Sequence, residues 1–239
     1  MNPQKIARVF GWLFIATFVT SIAARLLFVS GLGGTWSTLD FTVGAISDTR
    51  IQLGALFEFG LIVTNIGTAV VLYPIMKLHS EIGAVGYVTA RIVECTFILV
   101  GLISLLSVVT LSQAGGTGTQ AAGESLLATY EWAFLFGPGL VAGLGNGLLL
   151  GYLMYRSNLV PRRMAMLGLI GGPLLAVGFV AVLFDVIETG SAGQAAATAF
   201  EFVWELSLGI YAAVKGFRPS AIAALETRAQ GMEPGTAVA

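Results

Sequence analysis

Long apolar runs alternate along this chain with short polar connections. Six of the runs reach the ~20 mainly apolar residues that cross the hydrocarbon core of a bilayer. They occupy residues 9–29, 51–76, 84–112, 132–155, 164–184 and 195–214. Between them lie a longer segment (30–50), a short turn (77–83), a Gly/Thr/Gln-rich loop (113–123), a basic turn (156–163) and a small polar loop (185–194). Asp48 stands where an N-cap of the second span is expected. Beyond Pro219 the chain turns polar and Ala-rich, which predicts one transmembrane domain over 1–218 and a flexible cytoplasmic tail over 219–239, a short frayed helix followed by disorder. There is no heptad pattern and no internal repeat. Spans one to three and four to six have the helix count and opposite starting sides of an inverted repeat, but their sequences do not match.

The first run has some features of a secretory leader. Lys5 and Arg8 precede it, and Ser21-Ile22-Ala23 loosely resembles a small-residue cleavage site. Apolar character resumes after Arg25 through Leu26-Leu27-Phe28-Val29, however, so the run is read as a span.

Composition fits the same class. The chain has 239 residues, of which 56% are hydrophobic and 10% charged, with a mean hydropathy of +0.87. A soluble domain carries about 25% charged residues, so lipid must cover part of this surface. A net charge of -1 argues against a nucleic-acid partner. With one histidine (His79) and one cysteine (Cys95), neither an internal disulfide nor a bis-histidine haem, iron–sulfur or thiolate zinc site is expected. The sequence points to no cofactor, no metal ligand set and no catalytic residue, and the signatures of zinc proteases, serine hydrolases and phosphate loops are missing.

Charge also orients the bundle. Lys5, Arg8, Lys77, Arg156, Arg162, Arg163, Lys215, Arg218 and Arg228 fall on one side when the connections are numbered alternately, and only Arg50 falls on the other. By the positive-inside rule the expected architecture is an all-α bundle of six transmembrane helices in a bacterial inner membrane, with both termini cytoplasmic. Trp12, Trp132, Tyr152, Tyr155 and Tyr211 sit near span ends, as interfacial anchors do.

Six charges stay inside the spans: Arg25, Glu58, Arg91, Glu94, Glu201 and Glu205. An ionised side chain at the bilayer centre costs about 2.5–3.5 kcal/mol even on a lenient scale, so these groups must meet one another or a hydrated cavity. Arg91 and Glu94 are three residues apart, and Glu201 and Glu205 four, so each pair shares a helix face, with Tyr87 on the face of Arg91. Helix rise predicts two layers: Arg25 with Glu58 and Glu201 outside, and Arg91 with Glu94 and Glu205 at the midplane. Asn65, Thr17 and Ser21 are candidates for the same space, and Asn146 for an interhelical hydrogen bond. Four carboxylates against two arginines leave a surplus of two negative charges, a setting that suits a proton relay or a cation-coupled site. The alternative is that the charges only pin helix packing. The glycines around Gly137-Pro138-Gly139 and at 143, 145, 147, 168, 171 and 172 fit close helix packing, with a hinge as the less favoured reading.

The strings LGALFEF (53–59), GYVTARIVE (86–94), NGLLLGYLMYRSNLVPRRMAMLGLIGGP (146–173) and EFVWELSLGIYAAVKGF (201–217) resemble the bacterial membrane-protein family known as domain of unknown function 4386. The resemblance covers almost the whole chain and implies a single polytopic helical domain. It implies no reaction, substrate or cofactor. Three functional readings follow from the residues: a transporter of protons, a cation or a small solute; a non-catalytic membrane subunit or sensor; and, third, an intramembrane lipid-binding protein or enzyme near Tyr87, Arg91 and Glu94.

Overall fold

The computed structural model describes residues 2–231. It is all-helical, and six of its helices are long and apolar enough to cross a membrane. They are α1 (Pro3–Leu32), α2 (Asp48–Met76), α3 (Glu81–Ala114), α4 (Thr119–Ser157), α5 (Arg162–Leu183) and α6 (Ala192–Val214), followed by a short α7 (Pro219–Gly231). Each apolar run becomes a helix because lipid offers no partner to a backbone N–H or carbonyl, and a helix satisfies these groups within itself. Consecutive helices pack side by side, and α6 closes the ring against α1. Trp12, Leu56, Val70, Val177 and Val214 project outward, as lipid-facing positions do.

Two dense apolar cores fill the ends of the ring. One gathers Ile6, Phe10, Phe14, Met76, Tyr87, Leu153 and Trp204 at the end that holds the N-terminus. The other gathers Phe28, Leu32, Leu39, Phe41, Leu105 and Leu127 at the opposite end. Leu39 and Phe41 come from the α1–α2 connection, which folds back over the bundle; the Phe41 ring lies where a side chain at Gly123 would stand. Gln120 Nε2 holds it there by donating to the Phe41 carbonyl at 2.7 Å.

Three boundaries differ from the hydropathy reading. Helix α4 starts at Thr119, well before the apolar run at 132, because Ala121, Ala122, Glu124, Leu126 and Leu127 favour a helix without being continuously apolar. Asp48 is the first helical residue rather than the cap; Ser47 precedes it, and Asp48 Oδ2 instead accepts from Gln113 Nε2 at 2.8 Å. Residues 219–231, where a short frayed helix is expected to open the tail, form α7, which is docked rather than frayed and buries Ala221, Ile222 and Leu225 in the N-terminal-end core. Three buried residues on one helix face leave little trace in composition, yet they dock the helix. The rest of the tail lies outside the described residues.

Close approach of α4 and α5 sets the shape of the middle. Between Leu135 and Leu150 helix α4 widens to π-helical turns around Pro138, whose missing N–H breaks the ordinary i→i−4 ladder. The helix stays continuous there. Its Gly143, Gly147 and Gly151 face α5, and a side chain on Gly172 would run into the backbone at Gly143, Gly147 and Leu148. Small residues thus let two backbones touch. Gly172→Ala is expected to lower stability by about 1–3 kcal/mol through overpacking, read by denaturant unfolding in detergent micelles. Gly60→Ala, which meets only Thr20 Cγ2 at 3.4 Å, is expected to be neutral or mildly stabilising.

Candidate functional site

Between the two cores the interior turns polar, and Arg91 sits at its centre. Its Nη1 lies 2.8 Å from Glu94 Oε2, one turn along α3, and this is the only ion pair among the described residues. The guanidinium rests over the rings of Phe14 at 5.2 Å and Tyr87 at 5.8 Å, and its Nε donates to the Tyr87 hydroxyl at 3.3 Å. The other Glu94 oxygen accepts from Asn65 Nδ2 of α2 at 3.2 Å. On the far wall, Asn146 Nδ2 of α4 donates to Glu205 Oε1 of α6 at 2.5 Å. The Asn146 carbonyl, in the widened part of α4, accepts from the fully buried Trp204 indole at 2.9 Å. Asparagine amides thus connect carboxylates to neighbouring helices where charges alone do not.

Glu201 differs from its neighbours. It is 3% exposed, and neither carboxylate oxygen has a hydrogen-bond partner. Gly147 and Gly171 make its room: a side chain on either would meet Glu201 Oε2. Glu201 lines a cavity of about 190 Å³ together with Asn65, Arg91, Glu94 and Glu205, and Thr17 and Ser21 complete the polar wall.

A second cavity of about 460 Å³ lies next to it, lined by Arg25, Trp36, Tyr130, Glu131 and Gln194. Ser21, Phe134, Thr198 and Phe202 belong to the walls of both and form the partition between them. Phe202 meets Phe18 edge-on at 5.3 Å, and the Arg25 guanidinium lies 5.9 Å above the Phe134 ring. The α1–α2 connection roofs the larger chamber: Arg25 Nε donates to the Trp36 carbonyl at 2.7 Å, and Glu131 Oε1 accepts from the Leu39 N–H at 3.3 Å.

The grouping departs from the two ion-paired layers that helix rise predicts. Glu201 lines the inner chamber with Glu205 rather than standing with Arg25 and Glu58. Arg25 and Glu58 form no ion pair, since Arg25 turns to a loop carbonyl while Glu58 Oε1 accepts from the Tyr130 hydroxyl at 3.5 Å. Glu58 Oε2 has no partner. Tyr87 packs under Arg91 in the end core and does not line the inner chamber.

Tyr130, Glu131, Phe134, Phe202 and Trp204 were not legible as site residues. The first two precede the fourth apolar run, and a chamber-facing phenylalanine has the same hydropathy as a lipid-facing one. Among the described residues no three His, Cys, Asp or Glu side chains converge as metal ligands. Cys95 is buried, with Sγ 3.7 Å from the Ile62 carbonyl.

Removing one partner of a buried ion pair leaves the other charge uncompensated, which costs about 3–5 kcal/mol. Glu94→Gln is therefore expected to destabilise the bundle by about 3 kcal/mol, and Arg91→Met added to it should recover part of the loss, both measured by denaturant unfolding in micelles.

Residues 9–216 match the family model described as domain of unknown function 4386, and the chain belongs to that family. No curated protein and no solved structure matches it.

Proposed function

We propose that this polytopic membrane protein is a transporter, moving protons or a small cation through the Glu201–Glu205 chamber. One observation carries the reading: a buried carboxylate with two unpartnered oxygens, Glu201, faces a cavity rather than packed side chains. A group that only pinned helices would end on a donor, as Glu94 ends on Arg91 and Asn65. Three carboxylates and one guanidinium line the chamber, which favours a cationic guest over an anionic one.

The neighbouring chamber supports access from one side. It approaches the inner one from the end opposite the termini, with Phe134 and Phe202 between them. Toward the termini, Phe10, Phe14, Tyr87 and Trp204 close the bundle. With the termini in the cytoplasm of an inner membrane, as the cation bias favours, this is an outward-facing arrangement. Alternating access then requires the aromatic partition to tighten while the terminal core loosens.

A second reading has its own support. The Asn65–Glu94 and Asn146–Glu205 hydrogen bonds join α2 to α3 and α4 to α6, as a non-catalytic membrane subunit held by polar contacts would require.

The deciding experiment is proton and cation flux in proteoliposomes. Wild type is expected to exceed empty liposomes, and Glu201→Gln and Glu205→Gln to fall at least about tenfold, the scale of one lost 1.4 kcal/mol interaction. Wild-type flux equal to that of empty liposomes overturns the transport reading. In a Cys95→Ala background, Thr198→Cys should react with a membrane-impermeant maleimide added from the side opposite the termini and be protected from the other.

A further inference from the structure

A third cavity, unrelated to the chambers, lies at the terminal end of the ring. It measures about 310 Å³ and is walled by Arg156 at the end of α4, Arg218 between α6 and α7, and Arg228 on α7, with Ser157, Asn158 and Ser220 between them. Among the described residues, no acidic side chain lines it and none of the three arginines is ion-paired. Three guanidinium groups gathered with no carboxylate from the described residues beside them concentrate like charge, and the fold fixes their spacing. The Arg218 N–H donates to the Leu159 carbonyl at 3.0 Å, tying the α4–α5 turn to the α6–α7 turn, and Gln4 Nε2 holds the Phe217 carbonyl at 2.6 Å. Burial of Ile222 and Leu225 docks α7 so that Arg228 faces the other two.

The depth of this cavity is marked independently. Around the same end, Lys77 lies 5.9 Å from the Tyr73 ring, Arg162 5.3 Å from Tyr155 and Lys215 6.0 Å from Tyr211. Tyrosines paired with cations at helix ends belong at the level of lipid headgroups. An anion available at that level is the lipid phosphate, whose oxygens match the guanidinium fork bidentately. The first turn of α7, opening at Pro219 and Ser220, adds the positive end of a helix dipole. We infer that Arg156, Arg218 and Arg228 form a binding site for the phosphate of an anionic phospholipid. The same chemistry would accept free inorganic phosphate, so the two sources are tested side by side.

The chain supplies its own reporter. His79, its single histidine, is half-buried, and burial followed by the charges of Arg156 and Arg228 lowers its pKa from the ordinary histidine value. An anion seated among the arginines offsets their field and moves the His79 midpoint upward. The experiment uses the full chain, purified without a histidine tag, in phosphatidylcholine nanodiscs with or without phosphatidylglycerol, or with inorganic phosphate added. Binding is followed by native mass spectrometry and by NMR titration of His79.

Phosphatidylglycerol is expected to co-purify with the wild type and to raise the His79 midpoint. Binding should weaken about fivefold for each arginine replaced, and on the order of a hundredfold for Arg156→Gln/Arg218→Gln/Arg228→Gln. Arg228→Gln alone, on an exposed position of α7, serves if the triple variant does not fold. Arg162→Gln/Arg163→Gln, at the same end but outside the cavity, should bind as the wild type does. An upward shift with inorganic phosphate in pure phosphatidylcholine identifies free phosphate as the guest and overturns the lipid assignment. Equal phosphatidylglycerol binding by wild type and Arg228→Gln, or equal loss in the Arg162/Arg163 control, overturns the site.

Discussion

The charge of Arg91 has to be held in the middle of a bundle whose outer face is lipid and whose two ends are apolar. Helix α3 supplies Glu94 one turn away, 2.8 Å from the guanidinium, so the pair forms without help from another helix. The rest of the polar interior answers the needs that pair leaves over. Asn65 takes the second Glu94 oxygen, Tyr87 takes the Arg91 Nε, and the Phe14 ring covers the guanidinium face. In low dielectric an unsatisfied polar atom costs about 1–3 kcal/mol. Glu58 Oε2 and Asn146 Oδ1 also lack partners, but Glu201 alone among these residues has neither oxygen satisfied, and the transport reading is built on it.

Room for Glu201 comes from what α4 and α5 lack. Lipid gives helices no hydrophobic reason to associate, so dense packing between backbones has to do it. Gly143, Gly147 and Gly172 bring the two helices together, and the missing side chains of Gly147 and Gly171 leave the slot that the carboxylate fills. Asn146 lies in the π-helical part of α4, where its carbonyl accepts from the Trp204 indole and its side-chain amide donates to Glu205. Structural and candidate functional features therefore share the same residues, and the packing there cannot be altered without moving the carboxylates.

The two ends of the ring do different things. At one, the α1–α2 connection arches over a chamber of about 460 Å³ and is held by Arg25 and Glu131. At the other, aromatic side chains and the docked α7 close the bundle and gather cations about its rim. The polar chambers thus lie between an end roofed by a folded-back connection and an end closed by aromatic packing.

The sequence by itself determined the six spans, their helical form and which charges remain inside, because the thickness of a bilayer and the penalty for charge within it act on each segment independently. It also determined the Arg91–Glu94 pair, since residues three apart on a helix are neighbours whatever else surrounds them. Only the tertiary structure decided which layer Glu201 joins, that Arg25 turns to the Trp36 carbonyl instead of Glu58, and that Tyr130 and Glu131 belong to the interior. Those outcomes depend on the rotation of each helix about its axis and on a folded-back loop. Both are set by glycine contacts and buried aromatic rings between segments distant in the chain, to which hydropathy and spacing within one helix are blind.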